Sequence, residues 1–165
     1  MYSDIKSVLE DNYELIWKEF LELQIKRSCE AVKLFGNANS YLVLQVIAWH
    51  NFLIITDRIE KKDRTNILEN WLNNKSSLSK KKKYILTYTL ISELTGLHLE
   101  TVRRHVKRLQ KLKWVHYSKD NGVEFKANKE NNRKLAHEFN ANETNLVLSF
   151  LKKVNNIYKK NEEGY

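Results

Sequence analysis

Apolar residues recur at helical spacing from the start of the chain. Ile5, Leu9, Ile16, Phe20 and Leu23 define one face of a helix that Ser3 and Asp4 can cap and that runs to about Leu34, where Gly36 ends it. A second helix over 40–59 has Asn37, Asn39 or Ser40 as its cap. From Leu42 to Ile55 it is apolar on almost every side, so it needs cover on more than one face, part of it from a neighbouring subunit. Asp63 caps a shorter helix built on Ile67, Leu68, Trp71 and Leu72, and the polar, lysine-rich run from Asn73 to Lys83 reads as a linker. Tyr84 to Leu86 is a short apolar run suited to a strand. Asn128 to Phe139 is polar and partly helical, and Asn142 to Lys160 is a last amphipathic helix with Leu146, Phe150, Val154 and Ile157 or Tyr158 on one side.

Between these flanks lies the most informative stretch, Thr87 to Phe125. Thr87 caps a short helix that offers Leu90, Ile91 and Leu94 to a core, and Gly96 permits the positive φ of a tight turn. In a helix from Glu100 to Leu112, a rotation of about 100° per residue gathers Val102, Val106 and Leu109 on one face. Glu100, Arg104, Lys107 and Lys111 fall on the opposite face, with Arg103 on one flank and Thr101 and Arg108 on the other. Asn121 and Gly122 suit a two-residue type I′ turn, which sets Lys119 opposite Glu124 in a hairpin containing Trp114, Val115, Tyr117, Val123 and Phe125. The predicted fold is mainly α with a small β-hairpin wing: a winged helix-turn-helix flanked by N- and C-terminal helices. The expected division is 1–75 (helical), 76–127 (winged helix-turn-helix) and 128–165 (helical).

Charge sharpens this picture. The chain has 165 residues and a formal net charge of +9, with no proline and four glycines. Residues 1–79 hold 10 basic and 11 acidic side chains, residues 80–113 hold 10 and 2, and residues 114–165 hold 9 and 7. Nearly all the excess therefore sits around the glycine turn, which points to a polyanionic partner rather than to a general solubility charge. Lysine and arginine beside a DNA groove displace counterions from phosphate, and the arginine fork can take two hydrogen bonds from guanine. Glu100 reads as a base contact, because a carboxylate near phosphate is unfavourable unless it accepts a hydrogen bond from a base such as cytosine. The hairpin tip carries Lys119 and Asn121 toward a phosphate or the minor groove.

The run Ile91-Ser92-Glu93-Leu94-Thr95-Gly96-Leu97-His98-Leu99-Glu100-Thr101-Val102-Arg103-Arg104, with Val106, Leu109 and Trp114-Val115 after it, resembles the DNA-binding segment of bacterial winged-helix regulators. It is most similar to the cyclic-AMP-receptor type and less so to the multiple-antibiotic-resistance and gluconate-repressor types. The resemblance covers residues 84–126. It implies that Glu100 and Arg104 read base edges, that Thr101 and His98 contact phosphate, and that Arg103 lies at the groove edge. Leu99 stands where a polar residue is usual, and apolar contact with a thymine methyl is the alternative there. Lys113 replaces the glycine usual before the wing, so a left-handed backbone there would cost about 1 kcal/mol. No glycine-rich β-roll precedes the segment, so control by a cyclic nucleotide does not carry over.

The expected function is that of a homodimeric regulator binding double-stranded DNA through His98, Leu99, Glu100, Thr101, Arg103, Arg104, Lys107, Arg108, Lys111, Lys119, Asn121 and Thr87. Helices 4–34, 40–59 and 142–160 would form the dimer surface. A protein-interaction or replication and assembly module is the alternative; RNA binding is weaker, for want of an aromatic stacking platform. An enzyme is not expected, because His50, His98, His105, His116 and His137 lack metal-ligand spacing and no phosphate-binding glycine loop occurs; no metal or cofactor is predicted. His50 reads as a hydrogen-bonded core residue, and Trp49 and Phe52 as core aromatics, with an effector pocket as the lesser alternative. Cys29 is the single cysteine and reads as a buried core thiol in a reducing cytoplasm. No secretory leader opens the chain, and the uncharged segment Tyr41–Thr56 is shorter than a membrane span.

Overall fold

The computed structural model describes residues 2–58 and 85–162. Two long helices come first after a short one: α1 (Tyr2–Asp11), α2 (Tyr13–Phe35) and α3 (Ala38–Arg58). Next come α4 (Tyr88–Thr95), α5 (Leu99–Lys111), the antiparallel strands β1 (Val115–Ser118) and β2 (Gly122–Phe125), α6 (Lys129–Lys134), a π-helical turn (Leu135–Phe139) and α7 (Asn140–Glu162). The described residues are thus mainly helical with one small hairpin. The helix expected over 63–72 and the linker after it lie outside the described residues. Among the described residues, no helix is long and apolar enough to cross a membrane.

Local chemistry sets the boundaries. The single N-terminal helix expected over 4–34 is interrupted at Asn12, whose side-chain amide donates to the Val8 carbonyl at 3.0 Å and whose φ of −121° leaves the helical region. Gly36 closes α2 in the left-handed conformation at φ 89°. Of the three caps open for α3, Asn37 is used: its Oδ1 accepts the Ser40 N–H at 2.8 Å. Thr87 caps α4 by accepting the Leu90 N–H at 3.1 Å, and Gly96 is left-handed at φ 68°.

One core draws on all three expected segments. It joins Ala31 and Phe35 of α2 and Val43, Leu44 and Ile47 of α3 to Leu86, Ile91, Val102, Val106, Leu109, Trp114, Val123, Phe125, Leu135 and Phe139. Beyond it, α2 and α7 run antiparallel as a two-helix arm. Phe20 meets Phe150 edge-on at 6.1 Å, Arg27 pairs with Glu143, and Lys153 bonds both Glu19 and Glu22. Lys26 and Lys153 together hold the Glu22 carboxyl down to about 2. Leu146, Phe150, Val154, Ile157 and Tyr158 are half-buried, as the spacing predicts, while Leu148 and Leu151 stay exposed.

Several burial expectations are corrected. Ile5 and Leu9 are exposed, and so are Leu90 and Leu94, at 37% and 48%. In the eight-residue α4 only the stripe through Ile91 meets α3 and α5, and Leu90 and Leu94 lie one residue round from it. Trp49, Phe52 and Leu53 of α3 are likewise exposed, and His50 is half-buried rather than a core residue. Cys29 is exposed, because it lies about 200° round the helix from the buried Ala31.

The hairpin register also differs from expectation. Ser118 pairs with Gly122 and His116 with Glu124, so the tip is Lys119-Asp120-Asn121 and Lys119 does not face Glu124. A type I′ turn needs positive φ at Asn121, but Lys113 is the single non-glycine residue with positive φ among the described residues. Gly122, at φ 71°, instead bridges to Leu86, where the Val123 N–H donates to the Leu86 carbonyl at 2.9 Å. A Cβ on Gly122 would stand 2.4 Å from that oxygen, whereas one on Gly96 meets nothing within 4 Å. Gly96→Ala is therefore expected to cost about 1 kcal/mol from backbone strain alone, and Gly122→Ala on the order of 3 kcal/mol; urea unfolding of the two variants measures the difference.

Candidate nucleic-acid interface

The orientation of α5 decides what its cations can reach. Val102, Val106 and Leu109 are fully buried, as the helical spacing predicts, and anchor the helix against α3, α4 and β1. Arg103, Arg104, Lys107 and Lys111 are all exposed. Rotation is fixed further by a polar contact on the flank: His105 is buried, with Nδ1 3.0 Å from the hydroxyl of fully buried Ser40 on α3.

The two ends of α5 are tied as well. At its start His98 is the cap, with Nδ1 accepting the Glu100 N–H at 3.3 Å, so its ring faces the backbone N–H groups of the first turn. At its end the Asn131 side-chain amide donates to the carbonyls of Leu112 and Lys113 at 2.7 and 3.2 Å. Lys113 is left-handed at φ 61°, the conformation anticipated for a position that favours glycine. The strained turn is held by the Trp114 N–H on the Leu109 carbonyl at 2.9 Å and the Asn128 N–H on the Lys113 carbonyl at 3.0 Å.

The expected site residues do not all share one surface. Arg104, Lys107, Lys111 and Arg103 share the open side of α5, with Glu100 beside them accepting a hydrogen bond from Arg103 at 3.3 Å. That ion pair is exposed on both partners and contributes little to stability. It gives the Glu100 carboxylate a cationic partner of its own within the helix. Thr101 and Leu99 are half-buried at the start of the helix. Arg108 belongs elsewhere: its guanidinium lies over Gly36 at the α2–α3 corner, where a Cβ on the glycine would stand 2.4 Å from Nη2. There it stands beside the carbonyl end of α2, and its side chain stays exposed. Thr87 is engaged in capping α4. Lys119 and Asn121 sit at the hairpin tip, Lys119 exposed and the Asn121 N–H donating to the Ser118 hydroxyl at 3.1 Å. The exposed Asp120 lies between them and offsets the lysine's charge.

No family model, characterised protein or solved structure matches the chain. The interface therefore stands on its own chemistry. Among the described residues, no group of three His, Cys, Asp or Glu side chains is placed to hold a metal ion.

Reading the sequence alone missed the residues that hold α5 in place: Ser40, His105, Asn128 and Asn131. His105 gave one signal, since it lies on the edge between the apolar and cationic faces. Its partner on α3 is 65 positions away in the chain, and no local pattern reveals it. Burial, with Arg104 and Arg108 close by, keeps the His105 imidazole below its ordinary pKa. The unfolded chain then binds the proton more readily, so stability is full above a pH of about 6.5 and falls as pH drops toward the folded value. The urea midpoint of the native protein is expected to fall between about pH 7.5 and 5.5, and His105→Gln should flatten that dependence. An unchanged slope in the variant would place the titrating group elsewhere.

Proposed function

We propose that the chain is a sequence-specific double-stranded DNA-binding regulator of the winged helix-turn-helix type. The observation that carries this reading is the sidedness of α5: Val102, Val106 and Leu109 are sealed beneath it while Arg103, Arg104, Lys107 and Lys111 stand open above it. In this reading α5 enters the major groove and the β1–β2 hairpin approaches the backbone. Arg104 supplies the bidentate fork that reads a base, while Lys107 and Lys111 neutralise phosphates. The balanced charge of the tip makes the hairpin a lesser contributor to affinity than α5.

Duplexes selected from a random pool supply the measurement. Arg104→Ala is expected to lose about 1–3 kcal/mol of discrimination between selected and random duplexes. Lys119→Ala should weaken both classes alike. Binding should also fall steeply with added salt. Equal losses on both classes for Arg104→Ala, or no binding at low salt, would favour the alternative of a protein-interaction module whose cationic helix meets an acidic partner.

The proposal includes a homodimer. Tyr13, Trp17, Leu21 and Ile25 form an exposed i, i+4 ridge along α2, on the arm that already uses Ile16 and Phe20 elsewhere. A ridge of this length on a helix is matched by a second copy of itself about a two-fold axis, which would set two α5 helices about 34 Å apart or at a multiple of that on a palindromic site. Sedimentation equilibrium is expected to give a dimer for the native protein and a monomer for the double variant Leu21→Glu, Ile25→Glu.

A further inference from the structure

Two tyrosines meet where α4 and β1 both pack against α5. Tyr88 is the first residue of α4, placed by the Thr87 cap, and Tyr117 lies on the same face of β1 as the buried Val115. Their rings stand 4.7 Å apart at an interplanar angle of 34°, and both pack on the edge of the core. The ring faces are thus taken up by each other and by the core, so a nucleobase finds no open platform to stack on. Edges and hydroxyls remain. Both residues are half-buried; neither hydroxyl has a hydrogen-bond partner among the described residues, and neither is sealed from solvent. Burial raises the Tyr88 phenol above its ordinary pKa and Tyr117 adds to the shift, against the opposing pull of Arg103, so the hydroxyl stays protonated and able to donate.

The place of this pair matters for a duplex. Arg103, on the open side of α5, is near enough to act on the Tyr88 hydroxyl, and Tyr117 is followed directly by Ser118 and the tip residue Lys119. The tyrosines therefore occupy the ground between the two elements that the proposed function sets on DNA. With a helix in the major groove and a hairpin on the backbone beside it, a phosphate strand runs between them. Free cations are scarce there: Arg103 is shared with Glu100, and Lys119 is offset by Asp120. What the surface offers that strand is two neutral donors, and tyrosine hydroxyls are among the groups that bond phosphate oxygens. We propose that Tyr88 and Tyr117 donate hydrogen bonds to backbone phosphate oxygens of the strand that crosses between α5 and the hairpin, a contact that fixes register without neutralising charge. This contact depends on the DNA-binding reading, and its failure is distinguishable from the failure of that reading.

Anisotropy titrations of the full chain with a labelled duplex selected from a random pool, and with a random duplex, provide the test. Tyr88→Phe and Tyr117→Phe keep the rings and remove only the hydroxyls. Each should weaken binding to both duplexes about three- to tenfold, while the urea midpoint stays native because neither hydroxyl bonds within the protein. The slope of log K against log salt should be unchanged in both, whereas Lys107→Gln should lower it by about 0.9. Selected duplexes carrying one methylphosphonate at successive linkages then locate the contact: the gap in affinity between the native protein and the double variant Tyr88→Phe, Tyr117→Phe should shrink at one or two adjacent linkages and stay constant at the others. Native-like affinity in both single variants, a lowered salt slope in them, or an equal gap at every linkage overturns the proposal and leaves the DNA-binding reading in place. Absence of duplex binding by the native protein at low salt overturns both.

Discussion

The burial of Val102, Val106 and Leu109 beneath α5 is the constraint on which the rest of the molecule depends. Three apolar side chains at helical spacing, all inaccessible to solvent, set the rotation of a helix whose other positions are mostly charged. Burying each of them contributes roughly 1.5–3 kcal/mol relative to exposure, far more than the exposed Arg103–Glu100 pair on the opposite side. Apolar packing therefore determines where the cations point, and the cations adapt to it. The same layer holds Ile91 from α4 and Trp114 beside the hairpin, so helix, turn and hairpin are supported by one surface.

Polar contacts refine what packing establishes. His105 against Ser40 is a buried pair that holds α5 to α3, and Asn131 takes up two carbonyls at the far end of α5. These groups add specificity of position, because a helix held by aliphatic side chains alone can slide or roll by small amounts at little cost. The left-handed Lys113 shows the same balance. A residue that strains its backbone is retained where the hydrogen bonds of Trp114 and Asn128 fix the turn.

Much of the element plan is legible in the chain because its signals are local. The caps at Thr87 and Asn37, the left-handed glycines at 36 and 96, and the amphipathic pattern of α5 each depend on residues within a turn or two of one another. The exposed cations of α5 follow from the same periodicity. The hairpin register was not legible. Asn121-Gly122 carries a strong two-residue turn signal, but Gly122 is taken by a close approach to the Leu86 backbone, a contact between segments 36 residues apart. A local preference of this kind yields when a distant backbone occupies the space.

By itself the sequence determined most of the described helices, which face of α5 is apolar and which is cationic, and where the net charge is concentrated, since these depend on spacing and side-chain type alone. Tertiary structure decided that Arg108 turns to the α2–α3 corner, that Cys29, Leu90 and Leu94 face solvent, that the N-terminal helices share the core of the central module, and that Tyr88 and Tyr117 meet where α4 and the hairpin pack against α5. Each of these outcomes depends on what lies across from a residue rather than beside it in the chain. Helical periodicity specifies a direction around an axis; it does not specify which neighbour, if any, stands in that direction.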